Sequence, residues 1–208
     1  MIPVAKIRKP RGFKVDVETR GQNWLAAHPA ANSDEYPDYW RTAGNRKYVR
    51  VLREGFQERC GYTAHLIDHG TVDHFYSKEN YRTRTYKWSN YRYAASWINS
   101  AKRPQHDGRI LDPYEVGAGW FEIDLPIMEL VLNEANVPAR LLGKARFTLV
   151  TLPIRDDERV LDYRASCYAE FKASADRQTA LQWLRREAPL IAQAVERWQV
   201  ANPGQPLP

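Results

Sequence analysis

Apolar positions at Tyr48, Val49, Leu52 and Phe56 recur every three to four residues in "GNRKYVRVLREGFQER". That spacing predicts an amphipathic helix over 44–59, ending near Cys60-Gly61. Residues 61–76 then read as extended, with β-branched and aromatic residues on both sides of a glycine. This predicts a hairpin of "TAHLI" and "TVDHF" turning at His69-Gly70. "SKENYRTRTYKWSN" is polar and irregular. Ser89 or Asn90 would cap a helix over "YRYAASWINSAKR", with Tyr91, Ala94, Ala95 and Ile98 as its inward stripe. "RPQHDG" ends that helix. "ILDPYEVGAGWFEIDLP" predicts a strand, a turn at Gly117–Gly119 and a second strand, and "RFTLVTLPI" a further strand. From about Asp157 to Asn202 the pattern is helical, as two helices parted near "KASADRQ", with Pro189 interrupting the second. Residues 1–45, with "HPAANSDEYPDYW", read as loop-rich. The expected fold class is α+β. Residues 1–45 form an N-terminal extension, 46–113 a core, 114–156 a β-rich extension packed on it, and 157–208 a helical region.

Composition narrows the class. The 208 residues are 43% hydrophobic and 27% charged, enough to bury a core. No apolar run is long enough to cross a bilayer, and "MIPVAKIRKPRGFKV" lacks the apolar centre of a secretory signal. Cys60 and Cys167 do not make a disulfide framework. The expectation is a reduced, cytoplasmic protein with no membrane partner.

The formal charge is +6, a bias towards polyanions. Its distribution is more telling. Lys78, Arg82, Arg84, Lys87, Arg92, Lys102, Arg103 and Arg109 crowd residues 78–109 against only Glu79 and Asp107. Residues 112–134 are acidic. Tyrosines and tryptophans alternate with the basic residues. Such rings suit stacking on bases, although packing in a core accounts for most of them.

"HLIDHGTVDHFYSK" carries three of the five histidines and the pair Asp-His twice. One reading is a three-histidine metal site at His65, His69 and His74. Gly70 and the β-branched flanks oppose it, and they make Asp68-His69 a turn.

The second pair belongs to a longer order: Asp73-His74-Phe75, Trp88-Ser89-Asn90, Asn99-Ser100-Ala101-Lys102 and Asp112-Pro113. In that order, across residues 56–113, the chain resembles the HNH endonucleases. It is most similar to stand-alone bacterial HNH proteins of Septu-type and retron-associated phage defence, in the variant whose third motif residue is asparagine. The resemblance implies a ββα-metal core, one divalent ion (Mg²⁺ or Mn²⁺), DNA as substrate and a role in anti-phage defence or restriction. An ATPase or sensor partner would be compatible. Within that frame His74 is the base that activates water. Asp73 and Asn99 supply hard oxygen ligands to the ion, and Asn90 holds the imidazole. Lys78, Arg92, Lys102 and Arg103 are the expected nucleic-acid contacts. Many relatives hold a structural zinc with two cysteine pairs. Here Cys60 is joined by Thr63, Ala95 and Ile98, so no structural zinc is expected. The rival expectation is a nucleic-acid-binding module on an HNH scaffold that has lost catalysis. Neighbours on a strand point to opposite faces, so Asp73 and His74 share a phosphate only where the strand ends or bends.

Overall fold

The computed structural model describes residues 1–208. Between Phe13 and Ala27 no proline interrupts the chain. A π-helical turn, Lys14–Thr19, runs into helix α1, Arg20–Ala27, inside the segment expected to be loop. Val17 and Leu25 anchor it. Gly21 is required there, because a Cβ would lie 2.1 Å from the Tyr86 ring. The expected amphipathic helix is α2, Arg46–Gly55, which buries Tyr48 and Leu52, with Phe56 buried just beyond it.

The hairpin differs from expectation. Strand β1, Thr71–His74, pairs antiparallel with β2, Tyr91–Ala94, and the sixteen residues 75–90 connect them. Residues 61–67 curl through turns, with Ala64 at φ 61° and a lone bridge from Arg59 to Leu66. The expected helix from Tyr91 begins late, because 91–94 is the second strand. Tyr91, Ala94, Ala95 and Ile98 are all buried, but the inward stripe that fits a helical period also fits a doubly covered strand running into a helix. Helix α3 is only Ser96–Ala101.

Downstream, β3 (Phe121–Asp124) pairs with β4 (Glu129–Leu132) as a second two-stranded sheet. "ILDP" is not a strand; Asp112 instead caps the 3₁₀ turn Pro113–Glu115. "RFTLVTLPI" lies largely in helix α4, Ala139–Thr151, where Leu141, Ala145 and Thr148 are buried at helical spacing. Within the run β-branched Thr148, Val150 and Thr151 favour a strand by type, and the helical period shows only when Leu141 and Ala145 upstream are included. Helices α5 (Glu158–Ala173), α6 (Arg177–Glu187) and α7 (Pro189–Ala201) follow. Asp157 and Asp176 cap the first two through side-chain bonds to backbone N–H groups. Pro189 sits in the first turn of α7, where a missing N–H costs nothing. It starts a helix and does not interrupt one.

The chain is α+β, with two apolar clusters. The larger joins α4–α7 and β3–β4 to Tyr62, Ala94, Ala95 and Ile98. The smaller is aromatic: Phe13, Trp40, Tyr48, Tyr86, Trp88, Tyr91 and Tyr93 with Val17, Leu52 and Val72. The β1–β2 sheet lies between them. Val72, His74, Tyr91 and Tyr93 share one face by register, and Thr71, Asp73, Arg92 and Ala94 the other.

Candidate functional site

His74 ends β1 on the aromatic face. Its ring meets Trp40 edge-on at 4.8 Å and Tyr91 at 5.0 Å. Nε2 lies 2.9 Å from the Thr85 carbonyl. A carbonyl only accepts, so Nε2 carries the hydrogen and Nδ1 carries the lone pair. Nδ1 has no partner within the chain and is not among the sealed polar atoms. Burial, and secondly the charge of Lys78, push the imidazole pKa down to about 3. The ring is therefore neutral at ordinary pH. Trp40 Nε1, Thr85 Oγ1 and Tyr91 OH, all on residues that touch this ring, are sealed and make no hydrogen bond. Each such atom costs roughly 1–3 kcal/mol.

Asn90 organises the connection that delivers Thr85. Its Oδ1 accepts from Tyr76 N (2.8 Å), and its Nδ2 donates to Tyr76 O (2.9 Å) and Arg84 O (3.2 Å). It closes the loop and makes no hydrogen bond to the imidazole. The expected direct hold of Asn90 on His74 is corrected to an indirect one, through the loop that presents the Thr85 carbonyl. The N-terminal segment clamps the same loop. Arg82 donates to Ala31 O, Tyr36 OH, Leu25 O and His28 O, and Trp88 Nε1 donates to Ile7 O. On the other side Ser77 and Asn80 bond Asp107.

Asp73 faces away from His74. It is 0% exposed. Its Oδ1 accepts from Lys102 Nζ at 2.6 Å and its Oδ2 from Tyr62 OH at 2.7 Å. Burial and the Asp73 charge drive the Tyr62 phenol well above its usual pKa, so it stays a donor. Lys102, expected on the surface as a phosphate contact, has a side chain only 4% exposed. Arg92, expected in the same role, is 3% exposed and doubly bonded to Asp112 at 2.7 and 2.5 Å. Burial opposes its charge, but the Asp112 carboxylate more than offsets that and raises its pKa. Both residues are corrected from nucleic-acid contacts to buried partners of carboxylates. Asn99, on α3, reaches β1 through a long 3.5 Å contact from Nδ2 to Val72 O. A divalent ion held by Asp73 and Asn99 does not fit this arrangement, because both Asp73 oxygens are occupied and a lysine already neutralises it.

Of the expected phosphate contacts, Arg103 is exposed and Lys78 half-buried. His65 is buried, stacked on Tyr163 at 4.1 Å, and His69 is exposed. The histidines of the first stretch thus face separate surroundings. Asp68-His69 forms the bend before β1. Cys60, Ala95 and Ile98 lie in the larger apolar cluster, and Thr63 is buried as well.

A groove of about 660 Å³ was not anticipated. Arg41, Arg46, Lys47, Arg50 and Arg53 line it, with Asp68, His69 and Gly70. Asp38, Asp16, Glu54 and Glu58 pair with four of these cations at 3.1–3.8 Å, all at the surface, where such pairs contribute little. Arg46, Arg50 and Arg53 fall at i, i+4 and i+7 of α2. That basic spacing is carried by the sequence itself, on the helix face away from Tyr48 and Leu52.

No family model matches the chain, and neither the curated proteins nor the solved structures contain a match to it.

Proposed function

We propose that the chain hydrolyses phosphodiester bonds in DNA as an HNH-type endonuclease, with His74 as the base. The observation that supports this most is the polarity of the His74 ring, in which Nε2–H is spent on the Thr85 carbonyl and the Nδ1 lone pair is left free. The order β1, long loop, β2, α3, with the histidine ending the first strand, is the order expected of a ββα-metal core. Choosing DNA over RNA rests on the resemblance.

In the proposed reaction Nδ1 takes a proton from water as the water oxygen bonds to phosphorus. The bond from phosphorus to the leaving 3′ oxygen breaks, and solvent supplies the proton that neutralises that alkoxide. Lys78, close enough for its charge to depress the imidazole pKa, meets the negative charge growing on the phosphate. Asn90 is a positioning residue, acting through the loop. The α2 groove would carry the flanking backbone. No step is routed through a metal, since Asp73 and Asn99 do not fit one here. A place in phage defence, with an ATPase or sensor partner, rests on the resemblance and is tested by co-purification with the products of neighbouring genes.

The test is nicking of supercoiled plasmid by wild type and His74→Ala, in Mg²⁺, Mn²⁺ and EDTA. Wild type is expected to nick and His74→Ala to lose at least about a hundredfold; equal rates would sink the assignment. The buried Asp73–Lys102 pair favours a second reading, a nucleic-acid-binding module without catalysis. DNA binding by wild type with no nicking in any buffer would select it.

A further inference from the structure

Lys102 Nζ has three partners, all oxygens: Asp73 Oδ1 at 2.6 Å, the His74 carbonyl at 2.8 Å and the Phe75 carbonyl at 3.1 Å. An ammonium has three hydrogens and no lone pair, so the match is complete. The cage is built from both sides. Strand β1 and the residue beyond it supply the oxygens, and the C-cap of α3 supplies the lysine. Tyr62 fixes the second carboxylate oxygen. The Phe75 ring lies 5.3 Å and the Tyr62 ring 6.0 Å from the ammonium, a favourable setting for a desolvated cation.

One carboxylate and two carbonyls are hard oxygen donors, the kind that bind Mg²⁺, Mn²⁺ or Ca²⁺. We propose that the Lys102 ammonium is a resident cation: it fills an oxygen cage between β1 and α3 that would otherwise take a divalent ion, and it keeps such ions out. Asp73 and Lys102 together are neutral. A divalent ion placed beside them would leave net positive charge in a dry interior, which is costly. Without the lysine, the same cage holds an unpaired buried carboxylate, and a divalent ion is its natural replacement. The inference deepens the nuclease reading by fixing the nature of its cation. Its readout is ion binding, so it stands or falls separately from cleavage.

The experiment is a Mn²⁺ titration of the full chain, with free Mn²⁺ followed by electron paramagnetic resonance and the bound ion located by broadening of backbone amide signals. For wild type, signals of Asp73, Phe75 and Asn99 are expected to stay sharp, and Tm to be the same in Mn²⁺ and EDTA. Lys102→Ala should melt lower in EDTA, take up one Mn²⁺ per chain, and recover Tm as Mn²⁺ rises. Asp73→Asn combined with Lys102→Ala should lose that uptake. Saturable Mn²⁺ binding to wild type with broadening at Asp73 and Phe75 would overturn the proposal, as would a folded Lys102→Ala that takes up no ion. Should Lys102→Ala fail to fold, even in Mn²⁺, the wild-type titration decides alone.

Discussion

His74 and His65 have imidazoles depressed to about 3, by burial in both cases, with Lys78 acting next on the first and Arg164 on the second. Their folded pKa lies below the unfolded value of about 6.5. The unfolded chain therefore binds more protons between those two values, and stability falls as pH drops through that window. Each histidine contributes a slope of at most about 1.4 kcal/mol per pH unit, less for His74, which is not fully shielded. Urea unfolding at pH 7 and pH 5 should show a lower midpoint at pH 5, and His65→Phe should flatten the difference. The same depression predicts that nicking keeps its rate from pH 7.5 down to pH 5.5, because His74 stays deprotonated. A rate falling tenfold per unit below pH 6.5 would mean an ordinary imidazole. Asn90→Ala removes three loop hydrogen bonds, two of them to carbonyls. It should cost roughly 1–3 kcal/mol in chemical denaturation and lower kcat more than it changes KM.

At the scale of elements, α2 presents Arg46, Arg50 and Arg53 along about 10 Å of helix, all lining one groove. Replacing all three by alanine should weaken duplex binding and reduce the slope of log affinity against log salt by about 2 to 3, with nicking chemistry unchanged at saturating DNA. An unchanged slope would place the backbone elsewhere. The period of α2 was plain in the sequence because apolar and basic residues alternate on it. The β1–β2 pairing was not plain. A strand covered on both faces has no alternation to show, and sixteen residues separate it from its partner. The order of His74, Asn90 and Asn99 was visible in the sequence. What surrounds them was not, because the partners of Asp73 come from Tyr62 and Lys102, eleven and twenty-nine residues distant. Spacing along a chain does not say which of two cations, a metal or a lysine, reaches a carboxylate first.

At the scale of the molecule, the N-terminal 45 residues looked like a flank, yet Phe13, Val17, Leu25, Tyr36, Tyr39 and Trp40 belong to the aromatic cluster behind His74. Residues 114–156 pack on the core: β3, β4 and α4–α7 contribute to one apolar cluster together with Ala94 and Ile98. Arg164, 1% exposed, ties that half together by donating to the carbonyls of Met128, Ile154 and Arg155. No helix is long and apolar enough to cross a membrane. Arg164→Ala would strand the Met128 and Ile154 carbonyls, Arg155 O keeping Leu130 N as a donor, and should cost roughly 2 kcal/mol or more, read as a lower Tm.

The long connection between β1 and β2 has a consequence for folding. Closing a sixteen-residue loop costs about 2.5 kcal/mol of chain entropy, roughly 2 kcal/mol more than a two-residue turn, and two four-residue strands return little of it by themselves. The pairing is therefore expected late, after the N-terminal segment is in place to receive Arg82 and Trp88. Pulse-labelled hydrogen exchange during refolding should show the α5–α7 amides protected first and those of Asp73 and Phe75, which face β2 in the ladder, last. The Thr85 carbonyl meets His74 across that loop, so the tautomer on which the proposed base depends is expected to be set only when the loop closes.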